Sequence, residues 1–177
     1  MADPTAPPGG IADLPMALIT AANRSTLGAL APLAAFRTIR LGAMRGVAGT
    51  GLNGAVYLAG RRWAARLTFA SPADLFRTMT ELRLGVPRLV SQTADQWEIE
   101  LRESRSGSGL PAVGEALCYF EAGFLAGALA GRTQRRVPVR ATACWGTGAQ
   151  QCLFVAQLDP VADSAGVRSI AWGRATH

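Results

Sequence analysis

The stretch from Cys118 to Phe154 reads CYFEAGFLAGALAGRTQRRVPVRATACWGTGAQQCLF and carries most of the structural information in the chain. Residues 114–130 are apolar almost all round, apart from two glutamates, which predicts a buried helix. Residues 137–145 and 151–158 are rich in strand-forming side chains and are separated by Gly146-Thr147-Gly148, which predicts a hairpin. This region therefore predicts a buried helix followed by two antiparallel strands.

Upstream of this region the sequence predicts further helices. Residues 52–67 place apolar side chains mainly on one side and arginines on another, as in an amphipathic helix. Ser71-Pro72-Ala73-Asp74 combines a serine cap, a proline at the first helical position and an early acidic residue, so a helix begins there. That helix is expected to stop at Gly85-Val86-Pro87. Residues 14–22 also have apolar side chains at helical spacing.

Two more strands are predicted between these helices and the buried helix. They are residues 88–93 and residues 96–101, and the second alternates apolar side chains with glutamates. Residues 105–109, RSGSG, predict a flexible loop. This order of elements predicts an α+β domain in which an antiparallel sheet packs on helices.

The composition removes several classes of catalytic site. All 18 basic residues are arginine, and the single histidine, His177, is the last residue. P-loop and Schiff-base lysines are therefore excluded, and a Ser-His-Asp or Cys-His site would need the terminal histidine to fold back. The net charge of +6 favours anionic partners. No helix-turn-helix or zinc-finger spacing occurs, so we expect no specific nucleic-acid binding.

The chain organisation predicts one domain with short flanking segments. Residues 1–12 are a Pro/Gly-rich leader expected to be disordered, residues 13–159 form the domain, with its motif-dense part at 114–158, and residues 160–177 form a tail. The leader lacks the basic region of a signal peptide. The longest charge-free run, residues 141–158, is too polar for a transmembrane segment. With an odd number of cysteines as well, we expect a cytoplasmic protein.

The same region resembles the 4-vinyl reductase domain family. Its pattern is a cysteine on an F-E-x-G-F/Y-x-x-G helix, then a V-x-V strand, a cysteine, a glycine turn and a last C-x-F strand. The matching positions are Cys118, Phe120, Glu121, Gly123, Gly127, Val137, Val139, Cys144, Gly148, Cys152 and Phe154. Residues 51–67 also resemble a helix that such domains share with TRAPP-type subunits, which implies a TRAPP-like ligand-binding fold.

The resemblance implies a function in small-molecule binding. It is strongest to proteins of bacteriochlorophyll biosynthesis called 4-vinyl reductases, whose implied activity is reduction of a vinyl group on a chlorophyllide ring. We therefore expect a hydrophobic ligand, with a tetrapyrrole as first candidate, bound by a 4-vinyl reductase-type enzyme or an accessory carrier. Catalysis by this chain alone is disfavoured because the sequence has no convincing NAD(P) or flavin motif. The alternatives are a sensor domain for aromatic or hydrocarbon ligands, and a TRAPP-like structural subunit.

Three cysteines are the candidate metal ligands. If the hairpin packs on the buried helix, Cys118, Cys144 and Cys152 converge on a tetrahedral zinc ion. The resemblance implies a glutamate as fourth ligand, three positions before the second cysteine, where this chain has Ala141. Water, Glu115 and Glu121 remain as candidates for that position. The alternative is that the cysteines are ordinary small side chains of the core.

Aromatic side chains are the candidates for a ligand-binding wall, which the resemblance places between sheet and helices. They are Phe69, Trp97, Tyr119, Phe120 and Phe124, each of which is also a plausible core residue. The arginine pairs Arg61-Arg62 and Arg135-Arg136 are candidates to clamp a carboxylate, or else form a solvated face.

Two glycine patterns have simpler interpretations than ligand binding. Residues 49–54, GTGLNG, fit G-x-G-x-x-G, but the preceding residues are too short and polar for a buried strand, so a helix entry is preferred over a dinucleotide site. Gly123, Gly127 and Gly131 recur every four positions and predict close packing against one face of the helix. A homodimer is the default assembly.

Overall fold

The computed structural model describes residues 52–110 and 112–160, together with Leu33 and Phe36. Except for those two residues, the described residues belong to one compact unit, Val47–His177. The predicted leader at 1–12, the helix predicted at 14–22 and residues 161–177 of the predicted tail lie outside the described residues.

Three α-helices occur between residues 52 and 160. They are α1 (Leu52–Ala64), α2 (Pro72–Glu81) and α3 (Tyr119–Thr133). None of these helices is long and apolar enough to cross a membrane. The predicted start of α2 is confirmed, because the Ser71 hydroxyl accepts a hydrogen bond of 3.1 Å from the Asp74 N–H. Helix α1 ends earlier than predicted, since Leu67 N–H bonds the carbonyl three residues before it and tightens the last turn.

Four strands form one sheet in the described residues. They are β1 (Val86–Gln92), β2 (Gln96–Arg102), β3 (Val139–Ala143) and β4 (Cys152–Gln157), in the order β1-β2-β4-β3. Each neighbouring pair is antiparallel, which confirms the predicted α+β class. Strand β4, the last strand among the described residues, therefore lies inside the sheet between β2 and β3.

The core lies between α3 and one face of the sheet. Strand β2 contributes Trp97, Ile99 and Leu101, and β4 contributes Cys152, Phe154 and Ala156, all of them buried. The glutamates of β2 alternate with these residues and point to the other face. Glu100 is covered there by Arg88, whose Nε lies 2.7 Å from a carboxylate oxygen.

Helices α1 and α3 approach each other through glycines. A Cβ atom on Gly123 would overlap the Tyr57 carbonyl oxygen, and one on Gly127 would overlap that of Arg61. Gly60 on α1 makes the reciprocal approach to the Phe120 carbonyl. The predicted close packing is thus confirmed for Gly123 and Gly127. It is wrong for Gly131, where a Cβ atom would meet nothing within 4 Å.

Helix α3 begins at Tyr119, five residues later than predicted. Residues 114–117 run instead beside the turn after β3, where Gly114 N–H bonds the Gly146 carbonyl at 2.9 Å. Gly114 has a φ of +85°, which is incompatible with a helix. Hydrogen bonds to the hairpin therefore outweigh the helical periodicity of this segment.

Two loops also differ from expectation. The β3–β4 connection includes a short 3₁₀ helix, Trp145–Thr147, and is longer than the predicted glycine turn. The segment predicted as a flexible loop, residues 105–109, is a turn closed by a hydrogen bond of 2.9 Å from Ser108 N–H to the Ser104 carbonyl. Ser104 and Ser106 are buried, so packing orders this segment despite its composition.

Candidate ligand cavity and cysteine cluster

The structure brings the three cysteines together. The sulfur of Cys144 lies 3.3 Å from that of Cys118 and 3.8 Å from that of Cys152. All three sulfur atoms lie within 4.8 Å of one another, and all three residues are buried free thiols. A single compact cluster of sulfur atoms is thus present in the core.

Each cysteine comes from the end of a different element. Cys118 is the N-cap residue of α3, Cys144 precedes the 3₁₀ helix after β3, and Cys152 is the first residue of β4. The Leu117 N–H donates to the Cys144 sulfur at 3.3 Å, which ties the entry of α3 to the hairpin. The cluster therefore links α3 to both strands of the hairpin.

Contacts among the three thiols shift their pKa values in opposite directions. Hydrogen bonds from the Cys118 and Cys152 thiols and from backbone N–H groups lower the pKa of Cys144 to about 2. The contact with Cys144, together with burial, raises the pKa of Cys118 well above its usual range. For Cys152, the contact with Cys118 lowers the pKa, but the contact with Cys144 and burial outweigh it and raise the pKa to about 12.

The donor set fits a tetrahedral thiophilic metal. With metal–sulfur bonds of about 2.3 Å, sulfur atoms at two corners of a tetrahedron lie about 3.8 Å apart. The observed separations of 3.3 and 3.8 Å need little adjustment to meet this value. Within the described ranges the cluster includes no fourth His, Cys, Asp or Glu. Ala141, at the position where the resemblance implied a glutamate, has no donor atom.

Glu121, a sequence candidate for the fourth position, is not part of the cluster. Its side chain is fully buried and accepts a hydrogen bond from the Ser106 hydroxyl. The buried carboxylate thus holds the 105–109 turn against α3. The sequence offered no signal for this partnership, because the partner lies in a loop expected to be flexible. The side chain of Glu115 is exposed.

A cavity of about 470 Å³ lies beside the cluster. Its walls come from α1, the start of α3, the segment before α3, and β3. They consist mainly of apolar and aromatic side chains, and the lining residues are Asn53, Gly54, Tyr57, Leu58, Ala116, Cys118, Tyr119, Ala122, Val139, Arg140 and Ala141. Cys118 therefore belongs to both the cysteine cluster and the cavity wall.

Of the five predicted wall residues, Tyr119 lines this cavity. Phe69, Trp97 and Phe124 are buried in the core. Phe120 packs on Trp63, with ring centroids 5.6 Å apart. None of these four residues lines the cavity, so a ligand-binding role for them stays a prediction.

Sequence reasoning missed most of the cavity wall. Tyr57 and Leu58 on α1 line it, although the helix pattern predicted only a core-facing side. Tyr57 also accepts a hydrogen bond of 3.1 Å from the Val139 N–H, which fixes α1 to the start of β3. The spacing of Asn53 and Tyr57, four residues apart on one helix face, was the available signal.

Neither arginine pair lines the cavity. Arg61 and Arg62 are exposed on α1. Arg135 instead holds main-chain carbonyls, among them that of Ala94 at 2.9 Å and that of Leu158 at 2.7 Å. Arg136 pairs with Asp159 at 3.8 Å.

The glycine motif at residues 49–54 gains no support as a dinucleotide site. Its glycines at 49–51 lie outside the described residues, and the described sheet has no parallel pair of strands of the kind that a dinucleotide site uses.

Comparison with known proteins gives the family. The family model of the 4-vinyl reductase domain matches residues 97–158, a segment that contains all three cysteines. An uncharacterized protein of Methanocaldococcus jannaschii, MJ1642, is 33% identical over 132 residues, which cover 75% of this chain and 81% of the relative. The chain belongs to the 4-vinyl reductase domain family. Membership of this family confirms the expectation from the cysteine and glycine pattern.

Solved structures confirm the fold of this 4-vinyl reductase domain. A vinyl-4-reductase family protein of M. jannaschii has a TM-score of 0.56 at 18% identity, covering 73% of this chain and 82% of that one. The phenol-responsive sensory domain of the transcription activator PoxR, solved with phenol, has a TM-score of 0.58 at 13% identity, covering 73% and 75%. A trafficking protein particle complex subunit 3 from Naegleria fowleri, covalently bound to palmitic acid, has a TM-score of 0.54 at 14% identity, covering 71% and 92%.

Proposed function

We propose that this 4-vinyl reductase domain protein binds a hydrophobic small molecule in the cavity between α1, α3 and β3. The observation that carries the proposal is the cavity itself, about 470 Å³ with mainly apolar walls. This volume is within the range of roughly 300–1,000 Å³ typical of small-molecule sites. Three structures of similar fold include one solved with phenol and one bound to palmitic acid, which supports a ligand in this fold.

A tetrapyrrole of (bacterio)chlorophyll biosynthesis is the first candidate ligand, with the protein acting as a 4-vinyl reductase-type enzyme or as an accessory carrier. The family membership and the similarity to a vinyl-4-reductase family protein support this choice. Binding and delivery are preferred over catalysis by this chain alone. A sensor domain for aromatic ligands is the second candidate, favoured by the similarity to the phenol-responsive domain.

Titration of the purified full chain separates these candidates. A magnesium tetrapyrrole, phenol and palmitate are added separately, and tryptophan fluorescence and pigment absorption are recorded. Tight binding of the pigment supports the first candidate, and tight binding of phenol the second. If none of the three compounds binds saturably, the ligand-binding proposal is overturned and a TRAPP-like assembly subunit is favoured.

A matched pair of variants locates the binding site. Leu58 lines the cavity and is 46% exposed, so Leu58→Glu places a charge in the wall without burying it fully. Ala59 is also exposed on α1 but does not line the cavity, so Ala59→Glu is the control. We expect the first variant to weaken binding about tenfold, equivalent to about 1.4 kcal/mol, and the control to bind as the original chain does.

We also propose that Cys118, Cys144 and Cys152 hold a zinc ion, which would stabilise the junction of α3 with the hairpin. Metal analysis of protein purified without chelator tests this, with about one zinc per chain expected because a structural site is close to stoichiometric. Cys144→Ser is expected to lose the metal, and the surface variant Ser91→Ala to keep it. A zinc content below about 0.2 per chain would reject the site.

Two further expectations from the sequence remain proposals. The three free cysteines support a reducing compartment, such as the cytoplasm. A homodimer is the default for a chain of this kind, and light scattering of the purified protein tests it.

A further inference from the structure

We propose that the cavity supplies the fourth ligand of the metal at the cysteine cluster, so that a bound small molecule coordinates the metal directly. The class of molecule is an apolar body that carries a neutral nitrogen donor such as an imidazole. This inference rests on the proposed zinc site and adds a role for the cavity at that site.

The cysteine cluster is short of protein donors for a four-coordinate metal. The cluster has three sulfur atoms, and the described residues offer it no fourth His, Cys, Asp or Glu. The nearest acidic residue along α3, Glu121, is fully buried and bonded to Ser106. A tetrahedral zinc ion with three protein ligands keeps one position for water or another molecule.

The surroundings of the cluster differ between the side of Cys144 and the side of Cys118. Beside Cys144, the Leu117 N–H bonds the sulfur at 3.3 Å, and a Cβ atom on Gly146 would overlap the Glu115 carbonyl. That side of the cluster is therefore closed by main chain. Cys118 instead forms part of the cavity wall.

Ala141 lines the same cavity as Cys118. It lies on β3 opposite Phe154, on the sheet face that carries the buried side chains, whereas Arg140 and Thr142 on either side are exposed. A methyl group here supplies no donor atom. Cys118 and Ala141 thus share the cavity wall, and Ala141 does not compete for a metal.

The charge of the site favours a neutral donor. Three thiolates and Zn²⁺ carry a net charge of −1, which an anionic fourth ligand would make more negative and a neutral one leaves unchanged. A neutral imidazole adds no charge and is a common zinc ligand. The mainly apolar walls of the cavity would hold the rest of the molecule.

Cobalt substitution of the full chain tests this proposal. Co²⁺ replaces Zn²⁺, and 4-phenylimidazole is added while the visible ligand-field bands are recorded. We expect a saturable shift of these bands. The control compound, 2-phenylpyrrole, has a similar shape but no free nitrogen lone pair and is expected to leave the bands unchanged. Equal spectra with and without 4-phenylimidazole in the cobalt-loaded protein would overturn the inference.

A variant pair strengthens the test. Ala141→Glu offers a carboxylate from the cavity wall and is expected to weaken the 4-phenylimidazole response at least about tenfold while cobalt stays bound. Thr142→Glu adds the same group at the exposed neighbouring position and should respond as the original chain does. If the original chain binds neither zinc nor cobalt, the metal site itself is wrong and this inference falls with it, whereas a loaded but unresponsive protein refutes the inference alone.

Discussion

The Tyr57 carbonyl oxygen occupies the space that a side chain on Gly123 would need. This contact brings the backbones of α1 and α3 together at the level of the cavity, since Tyr57 also lines it. Any side chain on Gly123 would have to push two helix backbones apart, because the obstacle is main chain and cannot rotate away.

Gly123→Ala is expected to destabilise the fold by more than about 3 kcal/mol, because overpacking against backbone outweighs the gain in helix propensity. Gly131→Ala is the matched control on the same helix, where a Cβ atom meets nothing within 4 Å. It is expected to raise stability by about 0.5–1 kcal/mol. Denaturant unfolding of both variants checks the pair, and a similar loss in both would contradict the packing.

In the original chain the Val139 N–H donates a hydrogen bond of 3.1 Å to the Tyr57 hydroxyl. Tyr57→Phe removes this acceptor. We expect a loss of about 1–2 kcal/mol, since a buried N–H is left without a partner. Faster amide exchange at Val139 would identify the cause. Tyr119→Phe serves as control, because Tyr119 lines the same cavity but the Val139 N–H bonds the Tyr57 hydroxyl. Equal protection of Val139 before and after Tyr57→Phe would argue against the bond.

Ser106→Ala removes the donor to the buried Glu121 carboxylate. A loss of about 1–3 kcal/mol is expected, because a buried polar group is left without its partner. Ser91→Ala removes a similar bond of 3.1 Å, from Ser91 to Glu98 on the exposed sheet face, and should cost less than about 0.5 kcal/mol. Thermal unfolding of both variants measures the difference, and equal stabilities would show that burial adds nothing to the Ser106 contact.

The start of α2 gives a pH dependence. The hydrogen bond with Arg77, followed by that from the Ala70 N–H, lowers the pKa of Asp74 below its usual range. Its contribution to stability is therefore fully present above the unfolded pKa of about 3.9 and disappears as the pH falls through the lower folded value. Asp74→Asn should thus lower the melting temperature at pH 7 and have little effect at pH 2.

Arg77→Leu provides the control for this assignment. It is expected to raise the pKa of Asp74 toward the ordinary value, as read from the side-chain carboxyl resonance by NMR. If the pKa of Asp74 is unchanged in Arg77→Leu, Arg77 is not the cause of the lowered pKa.

Local sequence signals predicted the parts of the fold that depend on short-range chemistry. The Ser71 cap and Pro72 start α2 as expected, and the alternation in β2 places Trp97 on the buried face. The spacing of the cysteines on a helix and two adjacent strands predicted their convergence, because sheet pairing fixes such neighbours.

The cavity and the buried polar contact could not be read in the same way. The cavity wall depends on how closely α1 approaches α3, and the glycines permit this approach. The glycines do not specify where the two helices lie relative to β3. The bond between Ser106 and Glu121 joins a loop to a helix, and no periodicity in either segment signals it. The late start of α3 has a similar origin, since residues 114–117 bond to a distant turn.

The position of β4 inside the sheet sets an order for folding during synthesis. Residues 152–157 pair with β2 on one side and with β3 on the other. Until these residues leave the ribosome, the inner edges of β2 and β3 have no partner and expose unpaired N–H and C=O groups. The nascent chain therefore completes this sheet only when β4 inserts between β2 and β3, and until then the two inner edges are open to other partners.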